Sequence, residues 1–473
     1  MGIRVCNFSM LMPRQFWRNQ RNQLSIIQVP LDANTSARMT LSKLTFSVTT
    51  VVAFYSFGAF GFFNLFGMAT VIKICVVLYS VFGVLSLLEL GILKGRRRSV
   101  VVLTLFFYIY YGFFLTISKG SLLLGLVNSW MMWVFTLYIL LADRKIVALI
   151  SRSVVILSGL SGLLGLFVFV IYAVYPEVIN IDSFELMSSE TGNKTIAVAS
   201  IYDYFSFTSG DGFSLFDLQV TRVKGYSNEP SATLVHYLAP AAIGLLLGKL
   251  YRSISILLLF FCAICVSSML GIISILLSFG FYLLLSIKSH HIRSSVSIVG
   301  LVLILLLLSD AEYLISNIMG FGQDIYSASG YDLIARKEGS ATARLVSHSD
   351  AISSILNHPM GGAGQNTTSG LVMQLGLVGG LPLILIVLYF SSSVYRRCSL
   401  VFRKACTFRV RFSVSFILSL FFTFTIFSGY GWDRVSGVIM IILLYRNLEA
   451  EVLYEDGTGN VNTQIIKKNL SIS

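Results

Sequence analysis

The chain has 473 residues, 55% of them hydrophobic and 12% charged, with a mean hydropathy of +0.80. A water-soluble domain carries about 25% charged residues, so a soluble fold that hides this much apolar surface is excluded. The formal net charge is +13, but the basic residues cluster between apolar runs, a pattern of membrane orientation and not of nucleic-acid binding.

Residues 1–43 carry Arg4, Arg14, Arg18, Arg21, Arg38 and Lys43, without the uninterrupted apolar stretch of a secretory signal. They read as a cytoplasmic basic arm. Hydropathy and charge alternation then predict about twelve transmembrane helices in an all-α polytopic membrane protein. The spans lie near 44–66, 69–92, 99–117, 121–142, 154–175, 231–248, 253–267, 269–287, 295–310, 371–391, 412–429 and 435–446. The apolar run 253–287 is too long for one helix and is expected to fold back near Ser267–Ser268. The membrane blocks are therefore 44–175, 231–310 and 371–446, and 447–473 is a polar cytoplasmic tail.

Charge supports this arrangement. With the arm inside, the inside segments hold Lys94, Arg96, Arg97 and Arg98; Arg144, Lys145 and Arg152; Lys249 and Arg252; and Lys288 and Arg293. They continue with Arg396, Arg397, Arg403, Lys404, Arg409 and Arg411, then Arg446, Lys467 and Lys468. Together with the arm these are most of the 35 basic residues, so both termini are expected in the cytoplasm. Two long loops, 176–230 and 311–370, then face outward. Loops of that length without linker composition are usually functional. Neither holds any of the six cysteines. Cys262 and Cys265 sit in an apolar run with no His or acid nearby, and read as packing, not as a redox or metal pair.

The first outer loop ends Arg222-Val-Lys224-Gly225-Tyr226-Ser227-Asn228-Glu229-Pro230-Ser231. Pro230 suits the first turn of a helix. The free N–H groups and positive dipole end of that helix would face the outer surface and attract phosphate. Arg222 and Lys224 stand a few residues upstream, where they would hold the same anion. Glu229 is either the helix cap or a general base. His236 is a candidate by its depth in the sixth span, ranked below the loop residues.

The second outer loop holds Arg336 and Lys337, then a predicted amphipathic helix capped by Ser340 and stopped before Pro359. Its apolar face is Leu345, Ile352 and Leu356. Arg344 and His348, at i and i+4, share another face, suited to gripping a diphosphate and moving a proton, or simply to meeting solvent. His358-Pro359 and the turn Gly361-Gly-Ala-Gly364 follow, then Gln365 and Asn366 before the tenth span. The spacings HxH, HExxH and DxD do not occur among the outer His and acid residues, and no Walker or dinucleotide motif is present. No metal and no cofactor is expected.

These residues carry a resemblance. The chain resembles the O-antigen polymerases (Wzy type) and the related O-antigen ligases, in its span layout and in two local motifs. One motif is Arg222, Gly225, Tyr226, Glu229, Pro230 and Ser231. The other is Arg344, its helix, His358-Pro359, Gly361, Gly362 and Gly364, then Gly376 and Gly379. Ligases carry a His soon after that glycine turn, where this chain has Gln365-Asn366. Gln cannot accept a proton at neutral pH, which favours the polymerase and leaves the base to His348, Glu229, Asp350 or His358.

The resemblance implies a GT-C-like helical fold in the bacterial cell inner membrane, and a metal-independent glycosyltransferase. A glycan on undecaprenyl diphosphate would be transferred as a block onto a new lipid-linked repeat unit on the outer face. Arg222, Lys224, Arg336 and Arg344 would grip the diphosphate. His348 or Glu229 would be the base, and His358, Gln365 and Asn366 would line the substrate site. Tyr202, Tyr204, Phe205 and Phe207 would stack on sugars or form loop core. The implied partners are the lipid-linked oligosaccharides, membrane lipids and a chain-length-regulating copolymerase. The alternatives are the ligase and, from another class, a flippase or transporter of the same lipid-linked sugar.

Overall fold

The computed structural model describes residues 41–56, 68–90, 97–119, 122–174, 181–188, 192–199, 205–215, 218–223, 225, 233–266, 269–287, 289, 292, 295, 389–405, 407–426 and 435–455. The described helices accord with the helical expectation. They are α1 (Leu41–Ser56), α2 (Met68–Glu89), α3 (Arg97–Lys119), α4 (Leu122–Leu141) and α5 (Arg144–Val174). After the first long loop come α6 (Ala239–Leu246), α7 (Lys249–Phe261), α8 (Met269–Ser286), α9 (389–404), α10 (Phe408–Ile426) and α11 (Val435–Glu455). The expected fold-back near Ser267–Ser268 falls between α7, whose last turn runs through Val266, and α8. Spans expected near 295–310 and 371–391 lie wholly or almost wholly outside the described residues.

Among the described residues one helical stretch is long and apolar enough to cross a membrane, Arg144–Ile171 within α5. Shorter apolar stretches include Ser129–Leu141, Leu234–Leu246, Ile273–Ser286 and Val435–Leu448. The 31 residues of α5 extend about 46 Å at about 1.5 Å per residue, more than the hydrocarbon thickness of a bilayer, about 30 Å. Asp143 precedes its first turn, a residue type that favours helix starts. The helix stops at Val174, two residues before Pro176, because a residue ahead of proline avoids the helical region.

Two departures from the sequence reading are clear. Within the first long loop, 176–230, the chain adds a four-stranded antiparallel meander to the helices, in the order β1-β2-β3-β4. Its strands are β1 (Ile181–Ser188), β2 (Gly192–Ala199), β3 (Phe205–Leu215) and β4 (Leu218–Val223). The β1–β2 pairing runs from Ile181↔Ala199 to Ser188↔Gly192, and β3 pairs with β4 as far as Leu215↔Leu218. Three β-branched residues among the six of β4, Val220, Thr221 and Val223, favour the extended backbone. The second departure is α11. It continues to Glu455, well past the expected end of the twelfth span, because Asn-Leu-Glu-Ala-Glu-Val-Leu-Tyr-Glu is rich in helix formers.

The bundle has a distinct polarity. Large apolar side chains line its exterior: Val102, Phe106, Ile109 and Phe113 on α3, Leu160, Leu163, Phe167 and Val170 on α5, and Leu276, Phe279 and Leu283 on α8 are all more than half exposed. Small hydroxyl residues lie inside, among them Ser47, Thr50, Ser158, Ser161, Ser274, Ser413, Ser419 and Thr423. Several bridge helices. Ser274 Oγ donates to Thr423 Oγ1 at 3.0 Å, Ser413 Oγ to the Ala242 carbonyl at 2.9 Å, and Asn447 Nδ2 to Ser151 Oγ at 2.9 Å.

Basic residues gather at one end of the bundle. There α4 ends and α5 begins, α6 ends and α7 begins, and α9 ends and α10 begins. Arg446 donates to the Ala142 carbonyl at 2.7 Å, Arg409 to Leu247 at 3.3 Å, and Arg411 to Ala405 at 2.9 Å. Each acceptor directly follows the last residue of a helix, where backbone carbonyls lack partners and the dipole is negative. Arg397 also stacks over Tyr445, its guanidinium carbon 4.5 Å from the ring centre.

Candidate functional site

The innermost segment of the bundle is Thr233–Leu245, which is buried at every position. It packs against α5, α7, α8, α10 and α11. Its first turn, Leu234–Leu238, is a π-helix, and the reason lies in Pro240. Proline has no N–H, and its ring collides with the carbonyl four residues back. That carbonyl belongs to His236. The widened turn bonds the Ala239 N–H to Leu234, and Ser158 of α5 donates to the His236 carbonyl at 2.7 Å. The π-turn thus sets where His236 and Tyr237 sit, and such turns are frequent at functional sites.

His236 is 3% exposed. Its ring meets Phe54 of α1 edge-on at 5.2 Å and hydrogen-bonds the Phe54 backbone. Tyr237 reaches the other way. Its hydroxyl and Ser161 Oγ share a hydrogen bond of 2.7 Å, and its ring stands edge-on to Phe261 of α7 at 5.2 Å.

The end of the first long loop docks beside this pair. Strand β4 packs against α5 and against the turn Cys262–Val266. Val223 at its end is fully buried. Gly225 follows, buried, with φ +62°. A Cβ built on Gly225 would collide with the Tyr237 hydroxyl and lie 3.2 Å from Ser161 Oγ. Only glycine combines that left-handed backbone with that closeness.

The seam beneath is made of small residues. Gly159, Gly162 and Gly165 of α5 lie against Ile254, Leu258 and Phe261 of α7, and Gly244 of α6 lies against Ser255. Close approach through small residues is how helices associate where water supplies no driving force between them. The seam carries Ser158 and Ser161 at the spacing that presents them to the π-turn.

Of the expected site residues, Arg222 lies in β4, directly before the buried Val223. His236 lies in the core. Lys224, Glu229, Arg336, Arg344, His348, Asp350, His358, Gln365 and Asn366 lie outside the described residues. Phe205 and Phe207 fall in β3, while Tyr202 and Tyr204 lie outside. Sequence reasoning missed Ser158, Ser161 and Tyr237. The available signal was Pro240, whose position names the His236 carbonyl as in need of a donor. Among the described residues no group of His, Cys, Asp and Glu is placed to hold a metal ion, and among those whose side chains are described no Asp, Glu, Lys or Arg is buried.

Comparison with protein-family models, curated proteins and solved structures finds no match to this chain.

Proposed function

We infer that the chain is a multi-pass protein of the bacterial inner membrane that polymerises oligosaccharide repeat units carried on undecaprenyl diphosphate. The membrane part of this reading rests on the bundle's polarity. Apolar side chains outside and hydroxyls inside suit a lipid surround, and in water the exposed faces of α3, α5 and α8 would drive aggregation. Basic residues at one end suit the cytoplasmic leaflet. The meander between α5 and α6 belongs to the opposite end, which is then the outer face.

The observation that carries the enzymatic part is the close approach of Gly225 to Ser161 and Tyr237. This is the motif that resembles the polymerases. Arg222 lies three residues before this contact, at the end of β4, and in this reading it binds the anion.

In the proposed reaction an acceptor hydroxyl attacks the anomeric carbon of the donor glycan. The new glycosidic C–O bond forms as the bond from that carbon to the diphosphate oxygen breaks. The hydroxyl proton passes to His348 or Glu229. The diphosphate leaves with its charge met by Arg222, Lys224, Arg336 and Arg344. The leaving group is already activated, so no nucleotide is consumed.

A transporter draws support from one feature, the helix broken at Pro240 with His236 at depth. His236 is the one ionisable His, Asp, Glu, Lys or Arg buried among the residues whose side chains are described, a sparse set for a transport path.

Deletion and complementation test the reading. Wild type, Arg222→Ala, Arg344→Ala and His348→Ala are restored at equal membrane levels and the surface polysaccharide is run on a gel. A polymerase gives a ladder with wild type, and a single attached repeat unit in the deletion and the Arg variants. Long polymer that stays on the carrier lipid identifies a ligase. Loss of even the single attached unit, with carrier-linked units trapped inside, identifies a flippase.

A further inference from the structure

We propose that Tyr237, oriented by Ser161, is a positioning residue that, by seating Gly225, sets where the backbone at Arg222 is held for contact with a diphosphate; this rests on the polymerase reading above. Three observations converge on it. The Tyr237 hydroxyl fills the space beside Gly225 that a side chain would need, and Gly225 adopts φ +62° to allow the approach. The hydroxyl is itself directed by Ser161 at 2.7 Å. The tyrosine is held from both sides, by Phe261 edge-on at 5.2 Å and by the π-turn that Pro240 imposes.

The chain of causes runs from the helix core to the loop. Pro240 widens the turn, the widened turn places Tyr237, and Tyr237 with Ser161 seats Gly225. Val223, fully buried two residues earlier, is the second point of attachment. A backbone held at Val223 and at Gly225 leaves the neighbouring Arg222 little freedom along the chain. Cations held in advance lose less entropy when they grip an anion, and a displacement of about 1 Å can cost a hundredfold in rate. Tyr237 touches neither substrate nor reacting atoms in this scheme and acts through the loop.

Tyr237→Phe tests this in the full chain reconstituted in nanodiscs, with polyprenyl-diphosphate-linked repeat units as substrate. The ring and its contact with Phe261 remain, and only the hydroxyl is lost. The expected result is a donor KM raised by about tenfold, with kcat held within about twofold. The melting temperature stays at the wild-type value, and hydrogen exchange of amides 218–225 becomes faster. Ser161→Ala, which frees the hydroxyl but keeps it, gives the same split in weaker form. Unchanged kinetics together with unchanged exchange overturn the proposal. So does a fall in melting temperature and kcat with KM unmoved, which marks a merely structural contact. Wild-type protein that fails to join the units overturns the polymerase reading and the diphosphate role with it; exchange at 218–225 still decides whether the anchor exists.

Discussion

The Tyr237 hydroxyl stands where a side chain on Gly225 would have to be, and shares a 2.7 Å hydrogen bond with Ser161. Loop and core therefore meet at a point with no spare volume. Gly225→Ala adds both a clash and a left-handed backbone strain, each of which costs roughly 1–3 kcal/mol. The expected outcome is a melting temperature several degrees below wild type in detergent, with faster proteolysis of the 176–230 loop. A Gly225→Ala protein that melts like wild type would show that this contact does not hold the loop.

The seam between α5 and α7 predicts a contrast among glycines. Gly165 lies against the ring of Phe261, whereas nothing lies within 4 Å of a Cβ on Gly280. Gly165→Leu is expected to overpack the seam by about 1–3 kcal/mol or more. Gly280→Ala, in an exposed helix interior, should be neutral or stabilising by up to about 1 kcal/mol. Denaturant titration of the two variants in matched detergent measures the difference, and equal midpoints would contradict the packing.

Ser158 and Pro240 are coupled through one carbonyl. Ser158→Ala removes the hydroxyl that donates to His236 O and should cost on the order of 1 kcal/mol. Pro240→Ala restores a backbone N–H four residues beyond that carbonyl. The double variant is expected to be more stable than the sum of the single effects predicts, as contacting sites are not additive. A double-mutant cycle on unfolding midpoints reads this coupling, and strict additivity would refute it.

Helical content was legible in the chain because apolar runs of sufficient length leave few alternatives. The fold-back expected because no single helix accommodates 253–287 falls at Ser267–Ser268, outside the described residues. The meander was not legible, since short strands between acidic residues in a long loop resemble loop composition. The overrun of α11 was hidden because hydropathy ends where the polar residues begin, although Leu448, Glu449, Ala450 and Glu451 after Asn447 are good helix formers. The site divides likewise. The glycine of the Arg222–Gly225 motif stood out by type. Ser158 and Ser161 did not, because a serine in an apolar run barely changes hydropathy, and their role depends on which carbonyl or hydroxyl faces them.

Cys398 provides a check on the basic end. It is fully buried, and burial pushes its thiol pKa up because the charged thiolate is disfavoured there. Thiolate is the reactive form. A membrane-permeant maleimide at neutral pH should leave Cys398 unlabelled in the folded protein and label it after denaturation in SDS, in a variant with the other cysteines replaced. Rapid labelling of the native protein would place this face in the open.

Orientation is open to a direct test. Alkaline phosphatase fused after residue 210 should be active, and fused after residue 405 inactive, because the basic end belongs in the cytoplasm under the proposed topology. The reverse pattern would invert the assignment of outer and inner faces.

The arginines at that end have a consequence for how the protein is assembled. Arg446, Arg409 and Arg411 each close the carboxyl terminus of a helix, at Ala142, Leu247 and Ala405. A charge that steers a segment during insertion normally has no further duty once the segment is in place. Here the same guanidinium groups become struts of the finished bundle, so a helix threaded the wrong way loses its seal as well as its bias. Under the proposed topology, orientation is then set twice, first by the membrane's electrical asymmetry and again when neighbouring helices come together.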